Sequence, residues 1–136
     1  MGSRRRAREA AVQILYEMDI SQMNPERAIA VFWSNLGDTE GYSEFSNQLV
    51  RGCAAQLPSI DAAIRAVSEH WRLERMACVD RNIIRLAVFE LMTLPDVPRK
   101  VTLNEAVELA KRFGDESSPA FVNGVLDRIA NDIGKD

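Results

Sequence analysis

VDRNIIRLAVFELMTL, residues 79–94, decides the fold class. Wound at 3.6 residues per turn, Val79, Ile83, Ile84, Leu86, Ala87, Val88, Phe89, Leu91, Met92 and Leu94 leave little polar face at all. A helix apolar nearly all round belongs in the middle of a domain, with other elements covering it on several sides. Pro95 and Pro98 then force a non-helical connection.

The segments on either side supply that cover. In the first, Ala7, Ala10, Ala11, Ile14, Leu15 and Met18 share one side of the wheel, and Arg5, Glu9, Gln13 and Tyr16 the other. Tyr16 thus points with the charged residues. Asn24-Pro25 reads as an N-cap and first-turn proline, opening a helix with Ala28, Ile29, Phe32 and Leu36 that ends at Gly37. A third helix is expected from Tyr42 to Leu57 with Phe45, Leu49 and Cys53 inward, stopped by Pro58. Ser59 caps a fourth that carries Ile60, Ile64, Val67 and Trp71. Beyond the prolines, Thr102-Leu103-Asn104-Glu105 reads as a capping box, with Val101 and Ala106 as a hydrophobic staple and Gly114 as the stop. Ser118-Pro119 starts the last helix, whose stripe is Val122, Val125, Leu126, Ile129 and Ile133 before Gly134. The expectation is one all-α domain over residues 1–136, of about seven helices with short connections. At 136 residues and 46% hydrophobic, the chain can bury a sizeable core.

Charge is unevenly placed. Arg4, Arg5, Arg6 and Arg8 precede the first acidic residue, Glu9. With those four set aside, 13 of the 17 Lys and Arg stand against 20 Asp and Glu. A basic arm on an acidic body suits a polyanion, and nucleic acid is the commonest. The alternative is a tail solvated by its own charges, with Met1-Gly2-Ser3 as a cloning remnant. Residues 1–8 are read as this arm, leading into the first helix.

Chemistry of other kinds finds little support. Cys53 and Cys78 lack a second metal-ligand pair, and His70 completes no zinc spacing with them, so both read as reduced thiols of a cytoplasmic protein. No apolar run reaches the ~20 residues needed to cross a bilayer, and nothing resembles a signal peptide. There is no Gly-rich phosphate loop, metal cluster, cofactor motif or catalytic constellation, and the chain does not read as an enzyme. Glu105 and Glu108 are placed on the solvent side of their helix. A helix terminus could activate Cys78, but Asp80 opposes that. Phe121 falls about 100° off the last helix's stripe, on the side of Gly124 and Arg128. It either stacks on an unpaired base or packs beneath the loop of residues 114–119.

Four runs resemble the NusB (N-utilization substance B) family of transcription antitermination proteins. They are Arg4-Arg5-Arg6-Ala7-Arg8-Glu9 with Ala11-Val12-Gln13 and Leu15-Tyr16; Val79-Asp80-Arg81 with Ile84-Arg85-Leu86-Ala87 and Phe89-Glu90-Leu91; Asp96-Val97-Pro98 with Asn104 to Lys111 and Phe113-Gly114; and Phe121 to Asp127. Residues 24–68 match in helical pattern alone. The resemblance implies two three-helix bundles packed across each other. It also implies recognition of boxA-type single-stranded RNA together with the small-subunit ribosomal protein NusE. The expected setting is the RNA polymerase elongation complex with other Nus factors, reading through terminators in ribosomal RNA operons. Some members form homodimers that cover the RNA-binding end. Carried over by position, the RNA-contact residues are Arg4, Arg5, Arg6, Arg8, Tyr16, Lys100 and Phe121, and Glu74 and Asp80 belong to the NusE side. Ser117 stands where some members carry aspartate, which removes a charge opposing phosphate.

Two other classes compete. Ribosomal RNA cytosine methyltransferases carry an N-terminal domain similar to this fold, but continue into a catalytic domain where this chain stops at Asp136. A protein-binding helical adaptor would explain the acidic body but leaves the arginines and Phe121 without a role.

Overall fold

The computed structural model describes residues 3–37, 41–69 and 71–136. Among these are seven α-helices, one short 3-10 turn and no strand. Met1, Gly2 and His70, on which two of the expectations above fall, lie outside the described residues.

Helix α1 runs Ser3–Ser21, α2 Pro25–Leu36, α3 Ser43–Ala55, α4 Leu57–Ala66, α5 Cys78–Thr93, α6 Arg99–Phe113 and α7 Ser118–Ile133, with the 3-10 turn at Leu73–Arg75. Helices α1, α2 and α3 pack on one another as one bundle, and α5, α6 and α7 as a second. Helix α4 lies against α5 and α7. Helix α5 touches α1, α3, α4, α6 and α7, the central position that its apolar sequence demands. Its Ile83, Ile84 and Val88 are fully buried, against Ile14, Leu49, Val50, Ile60, Ile64, Leu126 and Ile129 from the surrounding helices.

Helix ends show where local signals held. Asn24 accepts a hydrogen bond from the Arg27 amide at 2.9 Å, and Gly37 leaves α2 with φ +74°. Gly134 closes α7 in the left-handed conformation, with φ +74°. Other ends differ from expectation. Pro58 does not stop α3 but sits in the first turn of α4, where its missing N–H costs nothing, and Ser59 lies inside that helix. Helix α6 begins a turn before the supposed capping box, because Pro98 O already accepts from the Val101 and Thr102 amides. Thr102 is buried in the helix, its Oγ1 without a partner among the described residues, and Val101 is exposed. Helix α7 is capped from outside: Asp115 Oδ1 accepts from the amides of Ser117 at 2.9 Å and Ser118 at 3.1 Å, and the Asp115 amide donates to Ser118 Oγ at 3.0 Å. Helix α4 stops at Ala66, so Trp71 is not its last turn.

A polar cluster on α5 ties it to α1 and α4. Asp19 of α1 accepts from Asn82 at 3.0 Å, Arg81 at 2.9 Å and Arg85 at 3.2 Å on α5, and Arg85 also grips Asp61 of α4 through bonds of 2.9 and 3.0 Å. Burial works against the Asp19 carboxylate, but the Asn82 and Arg81 donors outweigh it and hold its pKa below the ordinary value. Between α3 and α5 the contact is bare. A Cβ on Gly52 would stand 2.3 Å from Phe89 Cζ, so the ring lies directly on the α3 backbone.

Candidate nucleic-acid interface

The arginine-rich end is not an extended arm. Helix α1 begins at Ser3, so all four arginines are helical; Arg4 and Arg8, one turn apart, share the face toward Phe45, and Arg5 and Arg6 fall on others. Arg4 is exposed, and its guanidinium lies 4.1 Å above the Phe45 ring. Arg5 makes a two-pronged pair with Glu105 at 3.0 and 2.8 Å. That pairing holds the Glu105 carboxyl below its usual range and places Glu105 against α1, not on the open solvent side. Arg6 borders a shallow pocket with Glu9, Gln13, Phe32, Tyr42 and Arg112. Arg8 is buried at 5% exposure, and its guanidinium clasps Glu90 of α5 at 2.7 and 3.0 Å. As placed, Arg8 presents no group at the surface, which departs from its expected place among the surface contacts. One turn along from Arg4, the Arg8 side chain lies between α1 and α5 and pairs there with Glu90.

Tyr16 is 37% exposed, as its position on the wheel requires. It edges a groove of about 530 Å³ with Val12, Ala28, Val31, Phe32, Val79 and Phe113. Lys100 is exposed in the first turn of α6.

A second groove, of about 840 Å³, lies where the α4–α5 connection meets the start of α7. Phe121 projects into it and meets Trp71 edge-on, with ring centroids 6.0 Å apart and planes at 78°. Phe121 is half-buried and also touches the core, so the two readings of this residue are not exclusive. Arg72 and Arg75 are exposed at the groove's edge, and Glu69, Asp80, Asp115 and Ser117 are among its lining. Asp115 stands two residues before Ser117, and hydrogen bonds from Ser117 lower its pKa. The groove therefore keeps a carboxylate although position 117 lacks one.

Glu74 and Asp80 do not share a surface role. Glu74 is exposed and paired with Arg65 at 2.6 Å, which lowers its pKa. Asp80, in the first turn of α5, is 8% exposed and lines the groove beside Phe121, and its enclosed Oδ1 has no hydrogen-bond partner among the described residues. Trp71, Arg72 and Arg75 are the residues that sequence reasoning missed. Trp71 lies five residues beyond the end of α4, outside the helical stripe expected to carry it. An aromatic followed at once by arginines three apart was the available signal.

The thiols are quiet. Burial pushes Cys53 up to about 12. Cys78 is also raised, by burial and then by Asp19, to which its Sγ donates at 3.4 Å; the opposing carboxylate is Asp19, not Asp80. Among the described residues, no group of three or more His, Cys, Asp or Glu is placed to hold a metal, and no helix is long and apolar enough to cross a membrane.

Fold and surface together define an all-α domain whose candidate chemistry is recognition by arginine and aromatic side chains. The comparisons with known proteins agree with that class and refine it. The chain belongs to the NusB family, whose model matches residues 5–131. It is 52% identical over 136 residues to the transcription antitermination protein NusB of Sorangium cellulosum, covering 99% of this chain and 96% of that one. Among solved structures, T. maritima NusB superposes with a TM-score of 0.86 at 37% identity, covering 96% of this chain and 92% of that one. A structure described as antitermination factors NusB and NusE in complex with dsRNA gives 0.87 at 29% identity, covering 97% and 98%.

Proposed function

We propose that this chain is a cytoplasmic transcription antitermination factor, without catalytic activity or cofactor, that binds boxA-type RNA together with the ribosomal protein NusE. In this reading it acts with other Nus factors on the elongating RNA polymerase to carry transcription of ribosomal RNA operons past terminators. The observation that carries it is the match, across nearly the whole chain, to the NusB partner in a complex of NusB, NusE and RNA.

In this reading the work is divided. Arg4, Arg6 and Lys100 contact phosphates, and Tyr16 and Phe121 offer rings to bases. Arg5 stays braced by Glu105 and adds charge near the same end. Arg8 is a positioning residue, holding α1 on α5 through Glu90. Glu74, with its carboxylate outward, belongs to the surface for the basic protein partner.

The test is a titration of single-stranded boxA-type RNA, and of a duplex of the same sequence, against salt with and without NusE. Three phosphate-contacting cations on a single strand give a log–log slope of about −2. Arg4→Ala with Arg6→Ala should flatten it by about 1.4 while helicity holds. An unchanged slope in the double variant refutes the assignment of those arginines.

A further inference from the structure

The first turn of α6 carries two adjacent cations, Arg99 and Lys100, with no acidic residue and no side-chain cap. A helix N-terminus is the positive end of its dipole, so both cations are placed against it. Their side chains part company. Lys100 is exposed and pairs with no described residue. Arg99 turns instead to the last turns of α7, the end of a helix that favours a cation. Its Nη1 donates to Asn131 Oδ1 at 2.7 Å and to the Lys135 carbonyl at 3.4 Å. Its Nη2 donates to the Asp127 carbonyl at 3.2 Å and to the Asp127 carboxylate. Asp127 and Asn131 stand one turn apart on α7, a spacing that the planar fork of an arginine spans. The segment after α7 closes the same junction. The Arg99 amide donates to the Asp136 carbonyl at 3.0 Å, and Lys135 Nζ to the Leu94 carbonyl at 3.1 Å, so both ends of the α5–α6 connection are held.

We propose that Arg99 is a positioning residue for RNA binding: its clasp on α7 fixes the first turn of α6 and so holds Lys100 at a phosphate. The end of a helix frays unless something ties it down, and here no side chain within α6 caps the first turn. Arg99 supplies that tie from α7. A lysine meets phosphate as a point charge on a flexible stem, so its reach is set by where its backbone stands. Arg99 makes no such contact itself, because both Nη groups are engaged on α7 and its side chain is 23% exposed. One cation of the pair touches RNA and the other keeps it in place. The inference rests on the reading above that Lys100 contacts phosphate, and adds the residue on which that contact depends.

The experiment is a double-mutant cycle on the full chain, with the single-stranded boxA-type RNA titrated against salt. Each phosphate contact on a single strand contributes about 0.7 to the log–log slope, and Lys100→Ala should flatten it by that amount. Arg99→Ala is expected to flatten it equally although Arg99 touches no phosphate, and the double variant by no more than either single one. Arg99→Lys keeps the charge but cannot bridge Asp127 and Asn131 as a fork does, and should behave as Arg99→Ala. Melting curves set a temperature at which every variant is folded. An Arg99→Ala slope equal to the parent's overturns the inference, because a merely structural arginine leaves Lys100 in place. A double variant flattened by about 1.4 overturns it too, since Arg99 would then meet a phosphate in its own right. So does a parental slope in Arg99→Lys, which would show that charge alone suffices. These three outcomes leave the Lys100 contact standing. If Lys100→Ala itself leaves the slope unchanged, that contact falls and the inference with it.

Discussion

Arg8 separates a structural arginine from its surface neighbours, and its removal has a calculable consequence. Its side chain is 6% exposed and that of Glu90 3%, with the two groups joined at 2.7, 3.0 and 3.2 Å. Arg8→Ala leaves the Glu90 carboxylate buried without its counterion, a loss of about 3–5 kcal/mol. With an unfolding entropy of roughly 2.1 cal/mol/K per residue, that loss lowers the melting temperature by roughly 10–17 °C for a chain of 136 residues. Arg8→Met with Glu90→Leu removes both charges and keeps apolar volume, so it should recover most of the loss. The assay is thermal unfolding of the single and double variants, with RNA titration at a temperature where each is folded. Arg8→Ala should leave the salt slope of the folded protein unchanged. A melting temperature within about 3 °C of the parent, or a salt slope flattened as in an Arg4 variant, would refute the argument from burial.

Two further outcomes follow from packing and charge. Gly52→Ala places a methyl where the Phe89 ring lies and should cost about 1–3 kcal/mol in denaturant unfolding, part of which Phe89→Leu in the same chain restores. Asp19 has a folded pKa below its unfolded value near 3.8, so its stabilisation is complete above that pH and is lost as pH falls through the folded value. Acid unfolding monitored by circular dichroism should therefore be less steep below about pH 4 in Asp19→Asn than in the parent, and coincident curves would contradict the role given to Asp19.

Periodicity alone makes the architecture legible in the sequence. An apolar run too wide for one face had to be central, and the amphipathic stripes around it had to be its cover, because burial is read from spacing within one helix. Asn24, Gly37 and Gly134 were equally legible, since a cap involves only its own turn. The family was legible too, in runs distributed along the chain. Pairing across the interior was not. Nothing within residues 3–21 distinguishes Arg8, clasped by Glu90, from Arg4, stacked at the surface on Phe45; the difference lies 82 residues away in the chain. Glu105 was misjudged for the same reason, because its partner Arg5 is on another helix. The groove is the clearest case. Trp71 follows α4, Asp80 opens α5, and Asp115 and Phe121 flank the start of α7. Each is unremarkable alone in sequence. Two rings, two arginines and the start of α5 line one groove only when three chain segments, brought together by the burial of α5, meet around the same space.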